Sequence, residues 1–459
     1  MTDRFDELLS RELSQVPPPD SVVQDTNPWR RALELIMIGQ VLSMLRLEQY
    51  LLDYVLPAVG YVYLLLGHRI LRKENGALKA GWALSILQAL LFAVNLCIDA
   101  TFLSTQDGLL YELSGYILFG LQLLGLLHLL CLHITVDILW EHYNPPMRRQ
   151  WAHILVMLAL VFGVVFRGLL ASASIFLLLL TVSDLLQLSR TLSDGGFTME
   201  AAPVRLSNPA FTGLAVGVTV AAVVLCGITL RKAPMDFAPV EDENVAQVAA
   251  IEARLIELGM PAAIVEDLSD ADVLRCEGAI QVRLEDQQYE DALNARVTVI
   301  AIQIPPIRQS DDCWVILSHF QYLQAPVFTG TDAISTRHDV VSGTRWWIER
   351  KNNASGRVLY DLEGETHVSE FYDITYGQDY DRVTQTACFS FPGGGENYRG
   401  YLLYTAELVN SGCILYVIGT LTHQTALPNF PAQAPVPEAR RAGFRENQSQ
   451  IHFYPDDEE

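Results

Sequence analysis

The chain has 459 residues, of which 50% are apolar and only 18% are charged, with a mean hydropathy of +0.22. A soluble protein usually carries about 25% charged residues, so this composition indicates a membrane protein. Most of the formal net charge of −22 lies after residue 232, where 35 acidic residues accompany 15 basic ones. Such an acidic region repels phosphate backbones, so no nucleic-acid partner is predicted.

The N-terminal half is dominated by apolar runs. Residues 1–31 are predicted to form a cytoplasmic amphipathic segment, and residues 32–232 a transmembrane helical domain. A span needs about 20 apolar residues, and the first run is the weakest because it is short and contains Glu34 and Gln40. The seven runs cover residues 32–47, 50–67, 80–98, 113–138, 151–166, 168–188 and 209–230.

Lysine and arginine in the loops predict the orientation, because short cytoplasmic loops are enriched in these residues. Twelve positive charges fall on the side of the N-terminus and four on the other side. The chain is therefore predicted to cross the lipid bilayer with its N-terminus in the cytoplasm and its C-terminal domain outside. Arg231 and Lys232 are discordant, since they resemble a cytoplasmic flank.

Polar residues within apolar runs are the usual markers of function in membrane proteins. His133, Asp137 and Glu141 share one helix face at i, i+4 and i+8, which makes them weak candidates for a metal site or a proton relay. The favoured alternative is that Asp137 and Glu141 lie at the cytoplasmic interface without such a role.

Three further polar residues bear on the choice between a structural and a transport role for the helices. Asp99 and Asp184 are interpreted as interfacial anchors or hydrogen-bond partners. Transport would be favoured if Asp184, His128 and His133 converged in a cavity between helices.

Residues 233–278 are predicted to be a short helical linker module. One helix is predicted over residues 242–258, where apolar residues recur at helical spacing. A second is predicted over residues 270–276, with Ser269 as its N-cap and Asp272 in a capping position. The acidic balance argues against DNA binding and favours a spacer or docking module.

From residue 279 the apolar period changes to two, which indicates strands. Residues 279–427 are predicted to form an antiparallel β-sandwich or half-open barrel, and residues 428–459 a Pro-rich acidic tail. The predicted fold class is thus a membrane α-helical bundle of about seven helices plus a soluble α+β domain dominated by a β-sandwich. The predicted strands are 279–284, 296–302, 313–321, 344–350, 356–362, 366–374, 384–391, 398–407 and 412–421.

Four cysteines of the soluble region, Cys276, Cys313, Cys388 and Cys413, form no CxxC pair, so zinc-ribbon spacing is absent. Cys388 and Cys413 are the best-placed disulfide pair because they fall in neighbouring predicted strands. Buried free thiols are the favoured alternative.

Trp346 and Trp347 are the candidate ligand- or partner-binding residues. Adjacent strand residues point to opposite faces, so one of the two rings must face outward. An exposed indole can stack on a sugar or bind a peptide, and the predicted partner is an envelope protein, a peptide or a glycan. The alternative is that both rings are structural.

Catalytic motifs are few, so the sequence favours a protein that is not an enzyme and predicts no cofactor. The pairs 318–319 and 338–339 and His367 match no hydrolase or metalloprotease motif. The triglycine at 393–395 lies between predicted strands rather than before a helix. Asp379 and Asp381 could hold calcium only with further oxygen ligands.

Seven short segments carry a family likeness: NPWRRA (27–32), LPAVG (56–60), RKEN (72–75), DLSDAD (267–272), CEGA (276–279), RVLYD (357–361) and HFYP (452–455). They resemble a group of polytopic membrane proteins of clostridial-type Gram-positive bacteria, with the likeness spread over most of the chain. The resemblance implies a bacterial plasma-membrane location, and it carries over no catalytic or binding residue.

The leading hypothesis is a bacterial plasma-membrane protein whose extracytoplasmic β-rich domain binds a ligand or partner in sensing or envelope interaction. The alternative is a transporter or transport accessory subunit in which the helical bundle is the working part. Oligomeric state and ligand identity are not predicted.

Overall fold

The computed structural model divides into two compact units, which are described separately. One unit comprises Met1–Asp99 and Asp107–Val224, and the other comprises Ala100–Gln106 and Leu225–Glu459. The structure describes residues 28–45, 51–105, 109–141, 182–183, 186–187, 202–240, 246–285, 288–291, 293–305, 312–340, 346–348, 353–379, 382–408, 415–425, 430–435 and 444–453.

The first unit is helical. Its described helices are α1 (Pro28–Met44), α2 (Leu52–Leu71), α3 (Gly76–Asp99), α4 (Leu109–Glu141) and α5 (Asn208–Thr229), of which the last five residues belong to the second unit. Four of them, α2 to α5, are long and apolar enough to cross a membrane by length and composition. The predicted run at 32–47 coincides with α1, which has only 17 residues. The runs at 151–166 and 168–188 lie almost wholly outside the described residues, so seven spans remain a prediction.

Helices α1 and α2 pack at backbone contact. A Cβ added at Gly60 of α2 would lie 2.4 Å from the backbone nitrogen of Ser43 on α1. Helices in lipid have little hydrophobic drive to associate, so small residues that allow such close approach are the usual contact points. The α1–α2 contact therefore relies on glycine at position 60.

The second unit is predominantly an antiparallel β-sheet domain, as predicted. Its first sheet has the strand order β1-β9-β8-β12-β5-β4-β2, with β7 also paired to β12, and its second has the order β10-β11-β6-β13-β14-β3. The described strands are β1 (Ala238–Pro239), β2 (Gln281–Glu285), β3 (Gln288–Asp291), β4 (Ala295–Ile304), β5 (Asp312–Tyr322), β6 (Asp332–Val340), β7 (Trp346–Ile348), β8 (Ser355–Leu362), β9 (Glu365–Glu370), β10 (Asp373–Asp379), β11 (Arg382–Phe389), β12 (Glu396–Leu408), β13 (Leu415–Gln424) and β14 (Phe444–Phe453).

The two sheets contact each other face to face. The Ser318 hydroxyl of β5 lies 2.7 Å from the Thr336 hydroxyl of β6. A Cβ added at Gly419 of β13 would come within 2.8 Å of a Val299 methyl carbon on β4. Side chains of alternate residues on β4 and β5 thus fill the space between the sheets.

Four strands, β1, β3, β6 and β14, were not predicted, and the inward residues of β6 and β14 explain why those two were missed. In β6 the buried side chains include Ser335, Thr336 and His338, and in β14 they include Asn447 and Ser449. Polar residues that point inward give no apolar alternation, which is the signal on which strand prediction relies. The short β3 was missed as well, and the predicted strand 366–374 is divided between β9 and β10. The sheet domain consequently extends through β14, into the predicted tail.

The predicted linker module is part of the domain core. Its described helices are α6 (Ala246–Glu257), α7 (Ala262–Glu266) and α8 (Asp270–Leu274), and the predicted cap is present, with the Ser269 side chain accepting from the Asp272 amide. Val248 and Leu255 of α6 share a buried cluster with Ile300 of β4. These helices therefore cover one face of the first sheet instead of acting as a spacer.

Three described cysteines of this unit lie in its interior. Cys276 is a buried free thiol, as favoured from the sequence, and burial raises its pKa to about 12. Cys313 and Cys388 are also buried. Cys413 lies outside the described residues, so its pairing with Cys388 remains untested.

Candidate functional site

A polar cavity opens where the helices α6 to α8 stop covering the first sheet. Beneath the helices, the outward rows of β4, β5 and β12 carry buried apolar residues such as Ile300, Leu317 and Leu403. The same rows continue with polar residues. His319 lies two residues after Leu317 on β5, Thr298 lies two residues before Ile300 on β4, and the two are register partners. The change from apolar to polar residues along one sheet face creates the site.

This cavity, here called the Asp267 cavity, has a volume of about 300 Å³. Its floor comes from the first sheet and one wall from the segment around α7. Its lining residues are Pro261, Ala263, Ile264, Glu266, Asp267, Leu284, Arg296, Thr298, His319, Gln321, Asn397 and Arg399.

Asp267 is the centre of the polar network. It is only 4% exposed, and its two carboxylate oxygens accept from different partners. Oδ2 lies 2.9 Å from His319 Nε2, and Oδ1 accepts from Arg399 Nε at 2.7 Å. Arg357 holds the backbone of this segment by donating to the carbonyl oxygens of Asp267 and Leu268. A buried carboxylate with this many partners is fixed in position.

Arg399 connects Asp267 to a second carboxylate. Its Nη1 donates to Asp361 Oδ1 at 3.0 Å and to the carbonyl oxygen of Asn397 at 2.9 Å. Burial opposes the charge of Arg399, but the attraction of Asp267 and its hydrogen bonds outweigh burial and raise the pKa of the guanidinium. Burial likewise opposes ionisation of Asp361, yet hydrogen bonds from Asn397, Arg399 and Thr366 lower the pKa of its carboxyl.

Two groups of this network remain available to a ligand. His319 uses Nε2 for Asp267, which leaves Nδ1 as its second nitrogen; in the neutral ring that donates from Nε2, Nδ1 is an acceptor. Arg399 uses Nε and Nη1, and its Nη2 makes no hydrogen bond with the described residues. The cavity therefore combines a fixed acceptor with a fixed donor beside the amides of Gln321 and Asn397.

The tryptophans predicted to bind a ligand lie elsewhere. Trp346 and Trp347 are on β7, which pairs with β12 at Leu408 and Glu407. Eight residues of β12 separate Glu407 from Arg399, a distance of about 27 Å along a strand. Only the backbone of the two tryptophans is described, so their binding role stays a prediction and is separate from the Asp267 cavity.

The predicted intramembrane candidates are partly described. His133 of α4 is buried at 3% exposure, Asp137 is half-buried, and the side chain of Glu141 lies outside the described residues, as does Asp184. Within the described ranges no cluster of three or more histidine, cysteine or acidic side chains could hold a metal ion. The metal or relay role of this helix face remains a prediction.

The other sequence candidates are dispersed. Ser318 and His319 point to opposite faces of β5, because Ser318 contacts Thr336 of the second sheet whereas His319 lines the cavity. His338 contacts the Tyr404 hydroxyl between the sheets, and His367 stacks on Tyr360. The side chains of Asp379 and Asp381 lie outside the described residues.

In the sequence, His319 was considered only together with Ser318, and that pair matched no catalytic motif. Asp267 and Arg399 were not predicted as site residues. Asp267 lies between two short helices and Arg399 lies on β12, 132 residues away. The available signal was the row of polar residues that continues the apolar outward row of each strand.

Comparisons with known proteins give little. No protein-family model matches the sequence, and no curated protein matches it. Among solved structures, a pore-forming protein has a TM-score of 0.22 at 7% identity, over 37% of this chain and 90% of that one. The collagen-binding domain of a Staphylococcus aureus adhesin has a TM-score of 0.20 at 9% identity, over 36% of this chain and 100% of that one. Clostridium perfringens delta-toxin has a TM-score of 0.19 at 7% identity, over 38% of this chain and 89% of that one. Likenesses this weak carry no functional argument.

Proposed function

We propose that the chain is a multi-pass bacterial plasma-membrane protein whose extracytoplasmic β-rich domain binds a small polar ligand in the Asp267 cavity. The single observation that carries the proposal is the buried Asp267 carboxylate, which fixes His319 and Arg399 at the wall of an open cavity. Preorganised polar groups in a concave site are the usual arrangement for ligand binding. Seven spans and a cytoplasmic N-terminus belong to the same proposal: the spans rest on the apolar runs and the orientation on the loop charges.

The charge balance of the cavity favours a neutral ligand. The Arg399 guanidinium is already compensated by Asp267 and Asp361. The rim carries one acidic residue, Glu266, and one basic residue, Arg296. A ligand of high net charge would meet unfavourable charge on one side, whereas amide or hydroxyl groups could use both Nδ1 of His319 and Nη2 of Arg399. Peptide and glycan fragments of the cell envelope provide such groups.

Calorimetric titration of the purified full chain with soluble muropeptides, which contain both sugar and peptide, tests this proposal. In His319→Gln the side-chain amide can still donate to Asp267, but the ring nitrogen facing the ligand is lost. We expect binding to weaken about tenfold, the effect of one hydrogen bond of about 1.4 kcal/mol.

His367→Gln is the matched control, because it makes the same change on β9, outside the cavity lining. Muropeptide binding should be unchanged in this variant. No binding by the native chain, or equal binding by both variants, would overturn the proposal. If His319→Gln retains muropeptide binding and Trp346→Ala or Trp347→Ala loses it, the ligand binds at β7 and not in the Asp267 cavity.

A further inference from the structure

The buried face of α3 carries three polar side chains, Ser85, Gln88 and Asn95, whereas its exposed face is largely apolar. Exposed residues include Ile86, Leu87, Leu90 and Val94. A helix of a soluble protein shows the reverse pattern, whereas polar side chains turned into a bundle of membrane helices mark a functional path by default. The buried residues of α3 are Leu78, Gly81, Ser85, Gln88, Phe92, Asn95 and Ile98.

A histidine pair lies at one end of this face. His68 of α2 and His128 of α4 are both fully buried, and their Nε2 atoms are 2.5 Å apart. Helix α3 touches the pair through Gly81, where an added Cβ would lie 2.7 Å from Cε1 of His68. Three helices therefore meet at the two rings, and glycine at position 81 gives the His68 ring its space.

The pair has unused hydrogen-bonding capacity. Contact between two Nε2 atoms requires one ring to donate and the other to accept, so the accepting ring carries its own proton on Nδ1. Neither Nδ1 has a hydrogen-bond partner among the described residues, and Oε1 of Gln88 on α3 is likewise buried without one. Each such buried group costs about 1–3 kcal/mol, which favours a site that is completed by water or a proton.

Polar contacts continue at the other end of α3. Asn95 Nδ2 donates to Asp99 Oδ2 at 2.7 Å, and the Ser114 hydroxyl of α4 donates to Asn95 Oδ1 at 3.1 Å. The 18 residues from Gly81 to Asp99 correspond to about 27 Å of helix, close to the roughly 30 Å hydrocarbon core of a bilayer. The polar face is thus long enough to connect the two membrane surfaces.

The polar residues are interrupted once. Phe92 lies between Gln88 and Asn95 on the buried face, and its ring centroid is 5.1 Å from that of Tyr61 on α2. Two aromatic rings at this point narrow the path and separate the histidine end from the Asp99 end.

We infer that the helical unit conducts protons along this face of α3, with the His68–His128 pair as the proton-binding site. A neutral imidazole accepts a proton at its bare nitrogen and releases one from its other nitrogen, so it ends neutral and one proton has moved. No bond other than N–H or O–H forms or breaks. The Asp99 carboxylate exchanges the proton at the far end. This function is independent of ligand binding in the Asp267 cavity.

A metal ion is a poorer guest for the pair. Each zinc–imidazole bond takes about 2.0–2.1 Å, so an ion cannot enter between nitrogens that are 2.5 Å apart. No third histidine, cysteine or acidic ligand accompanies the pair within the described part of the chain. A shared proton fits this distance because it needs only a hydrogen bond.

The test is proton uptake by proteoliposomes that contain the full chain, a trapped pH dye and a potassium diffusion potential set with valinomycin. The native chain should acidify the vesicles faster than protein-free vesicles do. His128→Gln should reduce the rate by about tenfold or more, as loss of a proton-transfer group does. Thr135→Val is the matched control, because it alters a buried polar residue seven positions along the same helix, whose hydroxyl bonds back to the Cys131 carbonyl oxygen.

Equal rates with native chain and protein-free vesicles would overturn the inference, and so would equal losses in His128→Gln and Thr135→Val. Phe92→Ala is a second test that does not depend on whether His128→Gln folds. Removing the Phe92 ring should widen the path and raise the rate of proton uptake several-fold. If the polar face of α3 only packs the helices together, no increase is expected. Gel filtration and thermal melting of each variant establish that it is folded.

Discussion

His338 is expected to make the sheet domain less stable in acid. It is 1% exposed between the two sheets, and burial lowers its pKa from 6.5 to about 3. Between these values the unfolded chain takes up a proton that the folded domain excludes, so the free energy of unfolding falls as the pH drops below about 6.5. At pH 5, about 1.5 pH units below the unfolded pKa, the free energy of unfolding is lower by about 2 kcal/mol.

Urea unfolding of the full chain in detergent, followed by tryptophan fluorescence at pH 7.5, 6 and 5, measures this effect. His338→Gln removes the titrating group, and its loss of the Tyr404 contact lowers stability at all three pH values alike. The gap between native chain and variant should therefore narrow by about 2 kcal/mol between pH 7.5 and pH 5. Parallel stability curves for the two proteins would refute the assignment of acid sensitivity to His338.

Three further predictions concern the same unit. Asp267→Asn should cost about 2–4 kcal/mol in urea unfolding, because the single amide oxygen cannot accept from both Arg399 and His319; a cost below about 0.5 kcal/mol would mean that Arg399 is held by other partners. His423 should have the opposite effect of His338 on stability against pH. Burial lowers the pKa of His423, but the nearby Asp332 outweighs burial and raises it. The stabilisation is therefore present below pH 6.5 and is lost as the pH rises through the higher folded pKa. His423→Gln should therefore flatten the neutral-to-alkaline loss of stability, and an unchanged slope would contradict this. Finally, Glu363→Cys in the exposed β8–β9 turn should react with an impermeant maleimide in intact cells, whereas labelling only after lysis would reverse the proposed orientation.

The parts of the fold that could be predicted follow strong local signals. Helix α3 covers a predicted apolar run and strand β5 a predicted strand, and Ser269 caps its helix as its chemistry suggests. Strand β14 could not be predicted, because Asn447 and Ser449 face inward and are satisfied by tertiary contacts that no local pattern encodes. Asn447 Nδ2, for example, donates to the carbonyl oxygen of Ala295, 152 residues away.

The candidate sites escaped prediction for the same reason. His128 was noted in the sequence, but its partner His68 lies 60 residues earlier on another helix. A lone histidine in an apolar run is ambiguous, and only the packing of α2 against α4 reveals the pair. Asp267 gains its significance in the same way, from residues that the topology brings together.

The position of β14 has a consequence for biosynthesis. It lies between β13 and β3, so β3 is joined to the rest of the second sheet by residues 444–453, which are synthesised after every other described strand. Until then β13 and β3 each present an open edge, which is a template for pairing with another chain. A chain that stops before Phe444 leaves both edges unpaired, so the interval before β14 is made is the stage of synthesis most open to pairing with another chain.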